Sequence, residues 1–339
     1  MNMHGKSLWR WAALLCASLA CLLIVGCGKG EGDKQKADSA AGSTKTLHIG
    51  YLVADQLHSP AIMVMKQKKM LEAKGINVQW GEFLAGSALM QEMASGSLDF
   101  GSCGVVPVMI TRGQGVDVVV LASANKEGSS LIVKDSIKTI KDLNGKNIGT
   151  PGVGSIQDAM IEKIAKDNGI KITRKSMKVS DMPIFLQKGE IDGFIAWAPH
   201  PARTVDLKYG HELLTSHDIL PEHQCCVFVA KGGLLKSDPE MVRTVLQTYV
   251  EAYKWFFAHQ DEAVAMVCQA TGMSEAVVRT AMKTVQYPDP PLCNVESMKM
   301  MAQGLADSDK IKKGTIADMD GFIKDLYRPQ LIEEIVGKK

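Results

Sequence analysis

Between Asn147 and Gly169 the chain carries a short strand end, glycines at 149, 152 and 154, then Ser155 and an amphipathic run. The glycines leave the loop backbone permissive and free of side chains. Ser155 is a natural N-cap, and Asp158 falls at the third helical position, close to a capping box. Ile156, Met160 and Ile164 recur at helical spacing, and Asn168 and Gly169 stop the helix. A glycine loop feeding a helix start exposes unpaired N–H groups at the positive end of the helix dipole, which suits an oxyanion. The glycine order is not the dinucleotide G-x-G-x-x-G, and no Lys-Ser/Thr follows to make a nucleotide loop. An ordinary βα turn would carry the same residues, so the loop alone leaves binding and non-binding readings open.

Other reactive residue types form no catalytic pattern. There is no G-x-S-x-G elbow and no H-E-x-x-H. Cys225 and Cys226 are adjacent, no C-x-x-C occurs, and alternation along a strand should point the two side chains to opposite faces. The cysteines therefore define neither a disulfide framework nor a zinc site, and no metal, cofactor or catalytic residue is expected.

The N-terminus reads as an export signal. Lys6 and Arg10 precede an apolar run from Trp11 to Val25, too short for a comfortable membrane span. It ends Leu23-Ile24-Val25-Gly26-Cys27, which resembles a bacterial lipobox: residues 1–26 would be removed and lipid, palmitate included, placed on Cys27. Residues 27–45, rich in Gly, Lys, Asp and Ser, read as a flexible tether with a reach of roughly 25 Å. Without the signal, 37 basic residues face 37 acidic ones, and no basic tract with interleaved aromatics points to nucleic acid. Hydrophobic content of 46% against 22% charged marks the remainder as globular.

Elements that would position these residues follow in order. A strand from Thr46, a helix capped by Ser59-Pro60 and running to Lys74, a strand at 76–80, a helix after Gly86-Ser87, a strand at 98–102, a helix at 105–112 and a largely apolar strand at 116–121 make a βαβαβαβ set. The last suits the buried centre of a parallel sheet. A second α/β set runs to about 214 and includes the glycine loop, a strand at 193–196 and then Trp197 to His200. A strand returns near 224–230, after which the chain is helical. Such an order argues an α/β protein with loops gathered at strand carboxyl ends.

Several stretches now add up: Ile49-Gly50-Tyr51, Gly86-Ser87, Gly96-Ser97-Leu98-Asp99-Phe100-Gly101, Asp142-Leu143-Asn144-Gly145-Lys146, and Gly189-Glu190-Ile191-Asp192-Gly193 leading to Trp197 and Pro199. With the lipobox, the chain resembles periplasmic substrate-binding proteins of ABC importers, in the nitrate, sulfonate, taurine and thiamine-precursor group. The resemblance implies a two-lobed (type II) periplasmic-binding-protein fold with a ligand cleft between the lobes. Lobe one would take 46–122 plus 225–339, with the extra C-terminal helices, and lobe two 123–224. It also implies a small-molecule ligand, an ABC permease with its ATPase as partner, an exported monomer on a bacterial membrane facing the periplasm or outside, and no enzyme activity.

Carried onto this sequence, the family's ligand loops are Asp55, His58 and Ser59; Ser87 and Ala88; Cys103; Gly154, Ser155, Ile156, Gln157 and Asp158; and Trp197 and His200. The alternative readings are Ser59, Ser87 and Ser155 as helix caps only, Asp158 as a partner of the Ser155 N–H, Cys103 as an apolar wall and Trp197 as a core residue. These loops hold two acids and no Lys or Arg, so an oxyanion would be held by N–H groups and hydroxyls, and an amine by the acids. The expected solute is a small oxyanion-bearing organic compound such as a sulfonate or taurine; nitrate, bicarbonate or a thiamine pyrimidine precursor is the alternative. Other classes are a sensor lipoprotein and an enzyme like the fungal thiamine-pyrimidine synthase, whose cysteine-rich stretch Cys225-Cys226 does not reproduce.

Overall fold

The computed structural model describes residues 46–337. The expected signal, lipid-bearing Cys27 and tether lie outside the described residues. Two five-stranded sheets organise the chain. The strands are β1 (Leu47–Leu52), β2 (Val78–Phe83), β3 (Phe100–Gly104), β4 (Val118–Ser123), β5 (Lys126–Glu127), β6 (Ser129–Val133), β7 (Lys146–Thr150), β8 (Ile172–Ser176), β9 (Gly193–Trp197), β10 (His211–Thr215), β11 (Cys226–Lys231) and β12 (Val285–Gln286). The first sheet runs β2-β1-β3-β11-β4 and the second β10-β6-β9-β7-β8, while β12 pairs only with β5. Four helices matter for the site: α1 (Pro60–Gln67), α2 (Gly86–Ser95), α3 (Val105–Gly113) and α4 (Ile156–Asn168).

β1 pairs in parallel with β2 and β3, so the turns into α1, α2 and α3 leave from one end of the first sheet. In the second sheet β7 is parallel to β8 and β9, which brings the glycine loop and Trp197 to one end as well. This is the α/β, two-lobed periplasmic-binding-protein arrangement anticipated from the sequence.

β4 departs from expectation. It is apolar up to its last residue, Ser123, and fully buried, yet it lies at the edge of its sheet and pairs antiparallel with β11. Its outer edge is covered by the C-terminal segment: Arg328 N–H donates to the Val120 carbonyl at 3.0 Å, and Tyr327 bridges Val120. A covered edge needs no polar side chains, which is why the run reads like a central strand.

Side-chain caps hold helix starts. Ser155 accepts the Asp158 N–H, and Asp238 caps the 20-residue helix Pro239–Ala258. That helix lies along α1 and sends Tyr249 and Tyr253 into the first sheet's core, where Phe100, Phe228 and Tyr249 stack. α1 is shorter than expected: the run to Lys74 breaks at Lys68 and resumes as a single tight turn, Glu72–Lys74, before left-handed Gly75. Among the described residues no helix is long and apolar enough to cross a membrane.

Candidate functional site

The ends of the two sheets meet at a cleft enclosing about 30 Å³. Asp55, Gly86, Ser87, Cys225 and Cys226 line it from the first sheet, and Gly152, Ser155, Ile156, Gln157 and Trp197 from the second. Its lining holds no Lys, Arg or His, and Asp55 is its one charged residue.

Two helix starts face this space. α2 is preceded by Ala85, which has extended backbone and no side-chain oxygen, so the first-turn amides at Gly86, Ser87 and Ala88 have no cap. Gly86 allows this approach: a Cβ there would meet Pro107 Cγ at 2.9 Å and Cys103 Cβ at 3.3 Å. Ser87 lies on the exposed rim, Ala88 is half-buried beyond the lining, and Cys103 is fully buried behind Gly86. Burial pushes the Cys103 thiol up, so it is an unreactive wall.

α4 begins at the glycine loop. Gly152 and Gly154 have φ of +140° and +81°, which L side chains rarely adopt. The Ser155 hydroxyl accepts the Asp158 N–H at 3.1 Å, leaving the Ile156 and Gln157 amides at the positive helix end. The Gln157 side chain donates to Ser129 Oγ at 2.9 Å. Gly154 is buried toward Ile110 and does not line the cleft. Nor does Asp158 line it. Its carboxylate pairs with Arg174 Nε at 3.1 Å and accepts the Gly154 N–H at 3.4 Å, with Lys310 Nζ at 3.9 Å, while the Ser155 N–H goes to Gly152 O.

The first sheet contributes a compact buried network. Asp55 accepts the His58 N–H at 3.0 Å and the Ser59 hydroxyl at 3.3 Å. Ser59 begins α1 but does not cap it; its hydroxyl sits 2.9 Å from Ser102 Oγ. His58 Nε2 lies 3.0 Å from the Gly128 carbonyl, and Nδ1 lies 3.4 Å from Cys225 Sγ. Cys226 Sγ is 3.9 Å from Cys225 Sγ and 3.8 Å from Asp55 Oδ2. Burial pushes the Asp55 carboxyl up to about 6. The neighbouring Cys226 S–H and His58 draw the Cys225 thiol well below its ordinary value.

Expectation fails for these two cysteines. β11 starts at Cys226, so Cys225 lies outside the strand and alternation does not apply; both sulfurs turn to the same side. Both line the cleft, which sequence reasoning missed. The available signal was their position where the chain returns to the first sheet, since such crossings border the cleft.

Trp197, the last residue of β9, donates its indole N–H to the Ala54 carbonyl at 3.0 Å, and His200 Nε2 is 3.2 Å from the same oxygen. Two groups from the second sheet thus hold one carbonyl of the first sheet's β1–α1 loop. Burial depresses His200 to about 4, so the ring is neutral and donates from Nε2.

Comparison with known proteins agrees with this geometry. The sequence profile of the NMT1-like family matches residues 40–272. The taurine-binding periplasmic protein of Escherichia coli (strain K12) is 25% identical over 267 residues, covering 75% of this chain and 82% of that protein. The ligand-binding component of an ABC-type import system from Staphylococcus aureus, solved with zinc bound, superposes with a TM-score of 0.72 at 20% identity over 86% of this chain and 99% of that one. The periplasmic nitrate-binding protein NrtA of Synechocystis PCC 6803 does so with a TM-score of 0.71 at 13% identity, over 87% and 89%.

Proposed function

The chain belongs to the NMT1-like family, and from that premise we propose that it is an exported solute-binding lipoprotein that captures a small oxyanion-bearing organic solute, sulfonate- or taurine-like, and delivers it to an ABC permease with its ATPase. It would act without catalysis, as a monomer held to the membrane by lipid on Cys27 and a tether to residue 45. The lobes would be 46–122 with 225–339, and 123–224, closing over the solute.

One observation carries this reading: the starts of α2 and α4 bring uncapped amides to one cleft from opposite sheets. Such paired helix ends suit an oxyanion where the lining offers no basic side chain. Asp55 is the one carboxylate placed to meet an amine on the same solute, because Asp158 is already matched by Arg174. The names of the relatives, taurine-binding and nitrate-binding, support the anion class.

A cleft of about 30 Å³ favours a second reading, a small anion such as nitrate or bicarbonate, since it holds only about two waters in this clasped form. Calorimetric titration with taurine, alkanesulfonates, nitrate and bicarbonate separates the two. Saturable one-to-one heat with a sulfonate supports the first, and with nitrate or bicarbonate only, the second. Tight binding of an uncharged heterocycle with no anion binding would end both.

A further inference from the structure

Three donors converge on the first-sheet wall of the cleft. His58 Nδ1, Cys225 Sγ and Cys226 Sγ lie within 4.8 Å of one another. His58 Nδ1 is 3.4 Å from Cys225 Sγ and the two sulfurs are 3.9 Å apart, while Asp55 Oδ2 stands outside the group, 3.8 Å from Cys226 Sγ. Zinc–sulfur bonds of about 2.3 Å and zinc–nitrogen or zinc–oxygen bonds of about 2.0–2.1 Å, in a tetrahedron, require edges of roughly 3.5–3.8 Å. All three side chains are buried: His58 is 1% exposed, Cys225 0% and Cys226 4%.

We propose that His58 Nδ1, Cys225 Sγ and Cys226 Sγ bind one thiophilic metal ion of the Zn²⁺ class at the floor of the cleft. Two sulfurs with an imidazole favour such an ion over hard cations that take all-oxygen shells. The imidazole is already oriented for it, with Nε2 directed at the Gly128 carbonyl and Nδ1 at the sulfurs. Gly128 permits that orientation, since a Cβ there would lie 2.6 Å from His58 Nε2. Asp55, Cys225 and Cys226 line the cavity, so the ion has an entry path and one face open to an external ligand. On binding, each coordinating thiol releases its proton to solvent and the metal takes the sulfur lone pair.

The other cluster of this kind among the described residues, Glu127, His217 and Glu222, is satisfied internally. Glu127 accepts His217 Nδ1 at 2.7 Å, the Glu222 N–H at 2.6 Å and Gln286 at 2.9 Å. It therefore serves as a control.

A bound ion would place a positive charge where the lining has none, and a solute oxyanion could complete its shell. This second step rests on the solute-binding reading above. The test uses the full chain, reduced and stripped by chelator, titrated with Co²⁺ and then Zn²⁺. One equivalent of tetrahedral Co²⁺ with thiolate charge-transfer absorption, displaced by Zn²⁺, is expected. It should disappear in Cys225→Ser/Cys226→Ser and persist in His217→Asn and Cys268→Ser. His58→Gln should weaken binding by more than the roughly 10–100-fold that loss of an outer-shell partner costs. Thermal melts check that the variants fold; if the double variant does not, a shift of the Co²⁺ bands in His58→Gln decides instead. No charge-transfer band in folded wild type, or a band untouched by these substitutions, overturns the site. Solute titration with and without Zn²⁺ tests the second step, with at least 10-fold tighter binding expected when Zn²⁺ is present. Equal affinity overturns the coupling and leaves the metal site standing. Intact Co²⁺ bands with no solute bound in either form reject the solute reading instead.

Discussion

The two walls of the cleft solve the burial of an acid in opposite ways. On the second-sheet side Asp158 is fully buried but compensated, with Arg174 at 3.1 Å, Lys310 at 3.9 Å and Glu162 sharing both cations. On the first-sheet side Asp55 is buried among hydroxyls, an amide, an imidazole and thiols, with no Lys or Arg beside it. A compensated acid holds structure together. An uncompensated one is a standing cost that a bound ligand can relieve. The difference locates chemistry on the first wall and support on the second.

The largest effects should separate the walls by stability. Asp158→Asn leaves Arg174 and Lys310 without their buried partner and should cost about 2–4 kcal/mol by urea unfolding, somewhat less than a fully buried pair because both cations reach solvent. Asp55→Asn should stay within about 1 kcal/mol in the same assay, since no Lys or Arg loses a partner. Equal losses would erase the contrast.

Glycines give a second comparison of similar size. Gly128 combines φ of +88° with a Cβ position 2.6 Å from His58 and 2.9 Å from Val285, so Gly128→Ala should lose about 2–4 kcal/mol by the same unfolding measurement. Gly152, with φ of +140° and nothing within 4 Å, should lose only about 1–2 kcal/mol on the same change.

Next comes pH. His200 has its folded value depressed to about 4 from 6.5, so the folded chain binds fewer protons than the unfolded chain between those values. Its contribution is present above 6.5 and is lost as pH falls toward 4, by about 3 kcal/mol at most. His200→Gln should flatten the fall in urea midpoint between about pH 7 and about pH 4.5. The smallest effect belongs to the α4 cap: Ser155→Ala should cost about 1 kcal/mol of stability by thermal melting, and weaken solute binding by about 1–2 kcal/mol in calorimetry.

Much of this was legible in residue order. The glycine loop, the Ser155 cap, the strand ending at Trp197 and the alternation of strands and helices each follow from local rules, and the structure places them at one cleft. What was not legible depended on distant partners. β4 reads as a central strand because it is covered by Tyr327 and Arg328, some 200 residues later in the chain. Asp158 reads as a residue available to the cleft until Arg174 and Lys310 arrive from other elements. Cys225 and Cys226 read as a divergent pair only while both are assumed to lie in the strand.

The most direct test of the central claim, that both walls grip one solute, is hydrogen exchange of the full chain with and without the anion that calorimetry selects. Slower exchange at residues 53–59 and 85–90 together with 150–158 and 195–200 is the predicted result. Protection confined to one of these walls, or absent from both, would contradict it.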